Sequence, residues 1–264
     1  MKNALAAATG FLLAASTALA GIADTWDVTA DFSNSNGNPN GVWTYGWYST
    51  DFTQFTPMTP YAGGNGSPGW SGHLGGDGTP VVYRNTGGEG VPFGVPLNWF
   101  ALHPGPSGQA AVARWTCPTG VTGQAGIAGE FLAGDSGVMQ VGVRIDGVEV
   151  FHATDHGPFA LCEAVEPGTV VEFVVYGAYF NGNTPLRATI STRRCGADIG
   201  AAGGTPTLCG DGQLDNNDFI VFITYFFNAS PRADLGQTGG LPGSDGQFDN
   251  NDFIAFINLF FEGC

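Results

Sequence analysis

Charge is scarce in this chain. Only 12% of its residues are Asp, Glu, Lys or Arg, against about 25% in an average soluble domain. Basic charge is scarcer still: 8 Lys and Arg stand against 23 Asp and Glu, a net charge of −15. Phosphate backbones and anionic lipids require clustered Lys/Arg, so electrostatic binding to nucleic acid or acidic membranes is excluded. The five cysteines include no Cys-x-x-Cys pair and no Cys/His spacing suited to zinc. Beyond the first twenty residues no run is long and apolar enough to cross a bilayer. Gly (43), Phe (20) and Pro (16) are abundant, and 43% of the chain is hydrophobic, too much for a disordered polymer. A length of 264 residues allows one or two domains with cores of their own.

Lys2, the apolar run Ala4 to Leu13 and the small residues Ala18-Leu19-Ala20 make an n-region, an h-region and a cleavage site. Residues 1–20 are therefore expected to be a signal peptide. Cleavage before Gly21 leaves a mature chain with seven arginines, no lysine and no transmembrane segment. Export to the extracytoplasmic side, secreted or at the cell surface, also permits disulfides.

The remainder divides in character at Thr192-Arg193-Arg194. Residues 21–194 are rich in Gly, Thr and Val, with 14 acids and 6 arginines; residues 195–264 hold 9 acids and one arginine, Arg232. The second segment contains an internal repeat. Asp211 to Phe227 recurs as Asp245 to Phe261 with 13 of 17 positions identical, and Ala197-Asp198-Ile199-Gly200 recurs as Ala233-Asp234-Leu235-Gly236.

Each copy reads Asp-Gly-Gln-[Leu/Phe]-Asp-Asn-Asn-Asp. A hard cation takes six to eight oxygens, and the second half of an EF-hand-type loop supplies them at fixed offsets. Those offsets fall on Asp211, Gln213, Asp215 and Asp218, and on Asp245, Gln247, Asp249 and Asp252. Carboxylates this dense repel one another, and a bound calcium ion in each copy is the simplest relief; two ions are expected, the alternative being an acidic turn that caps a helix and binds nothing. After each loop, Phe219, Phe222, Ile223 and Phe226, and then Phe253, Phe256, Ile257 and Phe260, follow helical spacing. Asn217 and Asp218 suit a helix start. Phe227 and Phe261 are expected to widen an apolar face on which the two helices pack.

These residues resemble the dockerin module. The Cys195-Gly196-Ala197-Asp198 opening and the Gly263-Cys264 end are similar to the GC-type dockerin-like variant of exported planctomycete proteins. The resemblance covers residues 195–264. It implies a small calcium-dependent helical domain with paired EF-hand-like loops that tethers its passenger to another protein, a cohesin-like or other cell-envelope partner. It implies further that Asn216, Asn217, Asn250 and Asn251 read that partner. One departure is clear: at the first and third positions of a regular dockerin loop stand Thr207 and Cys209, then Leu241 and Gly243, which are poor ligands. Asp198 and Asp234 could supply a first ligand only across a Gly-rich insertion.

Cys195 and Cys264 flank the repeat, and a bond between them would clasp its ends. Cys117 and Cys162, the only two in the first segment, pair by default, which leaves Cys209 as the odd thiol. A competing pairing joins Cys209 to Cys195.

Residues 21–194 read as short strands punctuated by Gly, Pro, Asn and Asp. Val138 to Ile145 and Val148 to His152 flank Asp146-Gly147, a strong hairpin signal. Ala110 to Thr116, Thr169 to Tyr176 and Leu186 to Ser191 are further strands. The pattern predicts a mainly β fold, a β-sandwich of jelly-roll type. Asn38 to Gly46, Leu102 to Gly105 and Val112 to Thr116 loosely resemble galactose- or carbohydrate-binding jelly rolls of exported bacterial proteins. Trp43, Tyr45 and Trp47 share one strand face and either fill the core or stack on sugar. Trp70, in a Gly-rich stretch, is the expected exposed aromatic.

Enzymatic alternatives are weaker. Gly134-Asp135-Ser136-Gly137 matches a serine-protease string without that family's histidine context. Glu130 with Asp135, or Glu149 with Asp155, could form a glycosidase pair. His152, Asp155 and His156 could hold a metal but read better as a polar hairpin end. The expectation is an exported, non-catalytic protein whose β domain binds carbohydrate or another surface ligand and whose tail anchors it. The alternatives are a glycoside hydrolase of polysaccharide degradation and a purely structural surface protein.

Overall fold

The structure is a computed structural model and describes residues 25–62, 67–87, 94–193, 196–207, 209–210 and 213–263. The expected export segment, Cys195, Asp211 and Cys264 lie outside the described residues.

The first segment is built from β1 (Thr25–Asp27), β2 (Trp43–Tyr48), β3 (Phe55–Pro57), β4 (Thr59–Tyr61), β5 (Gly69–Ser71), β6 (Val81–Arg84) and β7 (Phe100–His103). It continues with β8 (Ala110–Thr116), β9 (Gly123–Phe131), β10 (Met139–Ile145), β11 (Val148–Thr154), β12 (Gly157–Val165), β13 (Val170–Gly177) and β14 (Thr184–Arg193). Among the described residues these form two antiparallel sheets. One runs β12-β9-β14-β7-β6-β5-β4 with β1 paired to β14, the other β11-β10-β13-β8-β2-β3. From β8 onward the chain passes back and forth between the sheets, apart from the β10–β11 hairpin. That hairpin turns at Asp146-Gly147, with Ile145 opposite Val148.

Alternation along the strands fills the space between the sheets. Trp43, Tyr45, Trp115, Val141, Val143, Phe173 and Val175 come from one sheet, and Phe100, Leu102, Ile127, Phe131, Leu186 and Ile190 from the other. The mainly β class and the sandwich follow from this shared core. Trp43 and Tyr45 belong to it, and Trp47 packs half-buried against it.

The outer face of the six-stranded sheet carries a second, charged cluster. Glu172 is fully buried and pairs with Arg114 at 2.7 Å and with Arg144 at 3.4 Å. The Tyr48 hydroxyl donates to Glu172 at 3.0 Å. The Arg114 guanidinium lies 3.4 Å from the centre of the Phe55 ring, and that of Arg144 lies 4.5 Å from the centre of Phe52. Arg114, Glu172 and Arg144 stand opposite one another on β8, β13 and β10, so strand register alone brings the three charges together.

The tail repeats one unit twice: a two-strand hairpin, β15 (Gly200–Ala201) with β16 (Thr205–Pro206), then helix α1 (Asn216–Phe227); and β17 (Gly236–Gln237) with β18 (Leu241–Pro242), then α2 (Asn250–Glu262). The helices pack through Phe222 and Phe256, whose rings stack at 4.1 Å, with Phe253 edge-on to Phe222. Ala197 and Ala233 are buried beside them. Phe227 and Phe261 do not extend this face: they are 78% and 79% exposed. One residue beyond Phe226 and Phe260, the 100° helical step carries them off the seam.

The cysteines correct two expectations. Cys162 bonds Cys209, and Cys117 is a free, buried thiol. Cys117 follows β8 with its sulfur directed inward against the Val121 carbonyl at 3.5 Å. On β12, Phe159, Leu161 and Val165 face the core, so strand alternation turns Cys162 to the other side. The two sulfurs therefore cannot meet, and Cys209 is not the leftover thiol. The expected Cys195–Cys264 bond lies outside the described residues.

Candidate functional site

The aromatics expected to be accessible are not at the surface. Trp70 lies on β5 and is 2% exposed. Its indole donates to the Ser33 carbonyl at 2.9 Å, and its ring stacks on Tyr45. The Trp43 indole donates to Asp31 at 3.1 Å. The glycines around Trp70 allow close strand approach instead of exposing the ring: a Cβ on Gly69 would collide with the Val82 carbonyl of β6.

A different row of aromatics gathers at one end of the sandwich. Tyr61 ends β4, and its hydroxyl donates to the Asp77 carbonyl at 2.9 Å. Its ring covers Gly78, where a Cβ would stand 2.7 Å from Tyr61 Cζ and where φ is +87°. His73 meets Tyr61 edge-on at 5.8 Å. The Tyr179 hydroxyl, arriving from the β13–β14 connection, donates to Asp77 Oδ2 at 2.7 Å, and the Thr79 hydroxyl donates to Oδ1 at 2.7 Å. Phe180, 81% exposed, packs on Tyr179 at 5.2 Å. Burial pushes the Asp77 carboxyl up, but the two hydroxyls outweigh it and hold the group below its ordinary value. The result is an ionised carboxylate flanked by His73, Tyr61, Tyr179 and Phe180.

Beneath this row lies His103 on β7, buried, with Nδ1 against the Pro104 carbonyl at 2.8 Å and Nε2 accepting from the Gly182 amide at 3.3 Å. Burial depresses its pKa below 6.5, against opposing pulls from Pro104, Asp77 and Asp135. The unfolded chain thus binds the proton first. Stability contributed by neutral His103 is present above the unfolded pKa and is lost as pH falls below it. The urea midpoint is expected to drop between about pH 7.5 and about pH 5, and His103→Gln to flatten that part of the profile. An identical profile in the variant would refute the assignment.

The other expected site residues are engaged elsewhere. Glu130 pairs with Arg187. Glu149 accepts from the Tyr176 hydroxyl at 3.2 Å. His152 bonds Gln140, and His156 bonds its neighbour Asp155. The Ser136 hydroxyl accepts from Asn181 at 2.8 Å. In the tail, Asn217 and Asn251 turn inward: their side-chain oxygens accept from Gly204 at 2.9 Å and Gly239 at 3.1 Å. Asn216 and Asn250 open the two helices and are exposed.

The fit of calcium is best judged in the second copy, which is fully described. Asp252 Oδ1 accepts from the Leu235 amide at 2.8 Å and the Gly236 amide at 2.9 Å, while Oδ2 accepts from Asp249 at 2.9 Å. Its exposure is nil. Asp249 is the helix N-cap, and both of its oxygens bond Asn251. Asp245 accepts from the Gln247 amide at 2.9 Å. Asp234 accepts from Ser244, Asp245 and Gly246. Among the described residues no three carboxylate, His or Cys groups converge as a metal site. This donor set does not fit a calcium ion.

No family model and no curated protein matches the chain. Among solved structures, a family 35 carbohydrate binding module from an environmental isolate is similar over 36% of this chain and 73% of its own, at 10% identity and a TM-score of 0.27. One from Clostridium thermocellum aligns over 56% of this chain and 97% of its own, at 10% identity and a TM-score of 0.26. The catalytic domain of Agl-KA aligns over 50% of this chain and 28% of its own, at 15% identity and a TM-score of 0.25. The sandwich described above stands on its own geometry and not on these similarities.

Proposed function

We propose that this chain is an exported, non-catalytic binding protein whose sandwich takes a glycan at the Tyr61–Asp77–Tyr179–Phe180 end and whose repeated tail attaches it to another cell-envelope protein. One observation carries the glycan reading: half-buried Tyr61 and Tyr179 and exposed Phe180 gather around an ionised carboxylate that hydroxyl donors hold in place. Sugars present apolar C–H faces and hydroxyl edges. Aromatic faces cover the former, and a fixed carboxylate accepts from the latter. The tail's part in attachment is supported by Phe227 and Phe261, large apolar side chains standing exposed at equivalent positions of the two repeats. No helix among the described residues is long and apolar enough to cross a membrane.

The test is retention of the full mature chain on a panel of insoluble polysaccharides. Tyr179→Ala combined with Phe180→Ala is expected to weaken binding at least about tenfold, as loss of a hot-spot aromatic does, with no new reducing ends released. Unchanged retention in the double variant would move the site elsewhere. Release of reducing sugar that disappears in Glu130→Gln or Glu149→Gln would replace this reading with a hydrolase.

A further inference from the structure

The repeated acidic motif meets its own charge without a metal. We infer that each copy of the tail is a self-clamped hairpin–helix unit in which backbone amides occupy the place a calcium ion would have, so that the tail folds and stays folded in the absence of calcium.

The clamp is the same in both copies. Asp218 Oδ1 accepts from the Ile199 amide at 2.7 Å and the Gly200 amide at 2.7 Å, and Oδ2 from Asp215 at 2.9 Å. Asp252 repeats this on Leu235, Gly236 and Asp249. An ionised carboxylate offers about four lone-pair sites. Three are filled here, and neither Asp218 nor Asp252 has any exposed surface. In an EF-hand-type loop the carboxylate at the last position gives both oxygens to the ion. Here one oxygen is bound to the hairpin and the other to the start of the helix.

Three further features belong to the same device. Asp215 and Asp249 complete capping boxes with Asp218 and Asp252, so negative charge sits where the helix N-terminus favours it. Asn217 and Asn251 hold the turn of each hairpin from the adjacent helix position. Gly200 and Gly236 lie so close to the helix start that a Cβ would collide with the backbone of Asn217 or Asn251. The clamp thereby accounts for the recurrence of both Ala-Asp-[Ile/Leu]-Gly and Asp-Asn-Asn-Asp. It also accounts for the absence of oxygen ligands at Leu241 and Gly243, which no ion requires.

The inference concerns the tail and is independent of glycan binding by the sandwich. It is tested on the full mature chain with calcium chloride itself as the probe. Calorimetry is expected to give no saturable heat. Hydrogen exchange at the Leu235, Gly236, Ile199 and Gly200 amides is expected to be the same in EDTA and in calcium. Asp252→Asn, which puts an amide donor where two backbone donors point, is expected to speed exchange at Leu235 and Gly236 by on the order of tenfold in both media. Ser244→Ala, a milder change that removes one of the Asp234 bonds, is expected to do the same more weakly at Asp245 and Gly246. Saturable calcium heat, calcium-dependent protection of these amides, or unchanged exchange in both variants would overturn the inference.

Discussion

Replacing Glu172 with alanine is expected to destabilise the sandwich by about 3 kcal/mol, the lower part of the range for breaking a buried ion pair. The carboxylate is 1% exposed and accepts from Arg114 and Arg144 on the neighbouring strands β8 and β10, and from Tyr48 on β2, one strand further along the sheet. Its removal leaves two guanidiniums facing each other over Phe52 and Phe55, with only 21% and 12% of their side-chain surface open to water. That residual exposure sets the loss at the low end, because the orphaned charges can partly rehydrate. Glu172→Gln, which keeps an acceptor oxygen and the shape, should cost less. Glu172→Leu with Arg114→Met and Arg144→Met should recover much of the loss, since an apolar replacement of the whole cluster restores packing without charge. Urea denaturation of the four proteins measures this. A loss below about 1 kcal/mol for Glu172→Ala, the scale of an exposed pair, would show that the cluster is solvated and not a buried network.

Cys209→Ser is expected to uncouple the tail from the sandwich. The bond to Cys162 closes a loop of 47 residues in sequence separation, and the chain-entropy model values such a closure at about 4 kcal/mol. In the oxidised wild type, a scanning calorimeter should record tail and sandwich melting together or nearly so. In Cys209→Ser, or in the reduced wild type, the helical signal should melt separately and earlier. Non-reducing peptide mapping adds a direct check, with the fragment carrying Cys162 joined to that carrying Cys209. Recovery of Cys162 with Cys117 instead, or a melting profile indifferent to the substitution, would refute the pairing.

Much of the fold was legible because it rests on local rules. Asp146-Gly147 marked its hairpin through turn chemistry, and Ala110 to Thr116 is β8 residue for residue. The spacing of Phe222, Ile223 and Phe226 placed α1, and the same spacing placed α2. What escaped depends on which way a side chain turns once sheets are stacked. Trp70 reads as a loop aromatic from its glycines, yet those glycines exist to let β5 and β6 approach. Cys117 and Cys162 look like partners until strand alternation sends one sulfur inward and the other out. The row around Asp77 joins residues about 100 positions apart, Thr79 with Tyr179, and no local pattern announces that meeting. In the acidic repeat, composition records the carboxylates and not the amide hydrogens that face them.

The bond between β12 and the segment before α1 also decides how force would travel. A protein held by its C-terminal end and pulled through its sandwich transmits tension along the shortest covalent route. That route leaves the tail at Cys209 and enters the sandwich at Cys162, on a strand at the sheet margin, bypassing β13 and β14 entirely. Under oxidising conditions the outer strand is therefore the first to feel the load. Under reducing conditions the same pull would fall on β14, between β9 and β7 in the middle of its sheet.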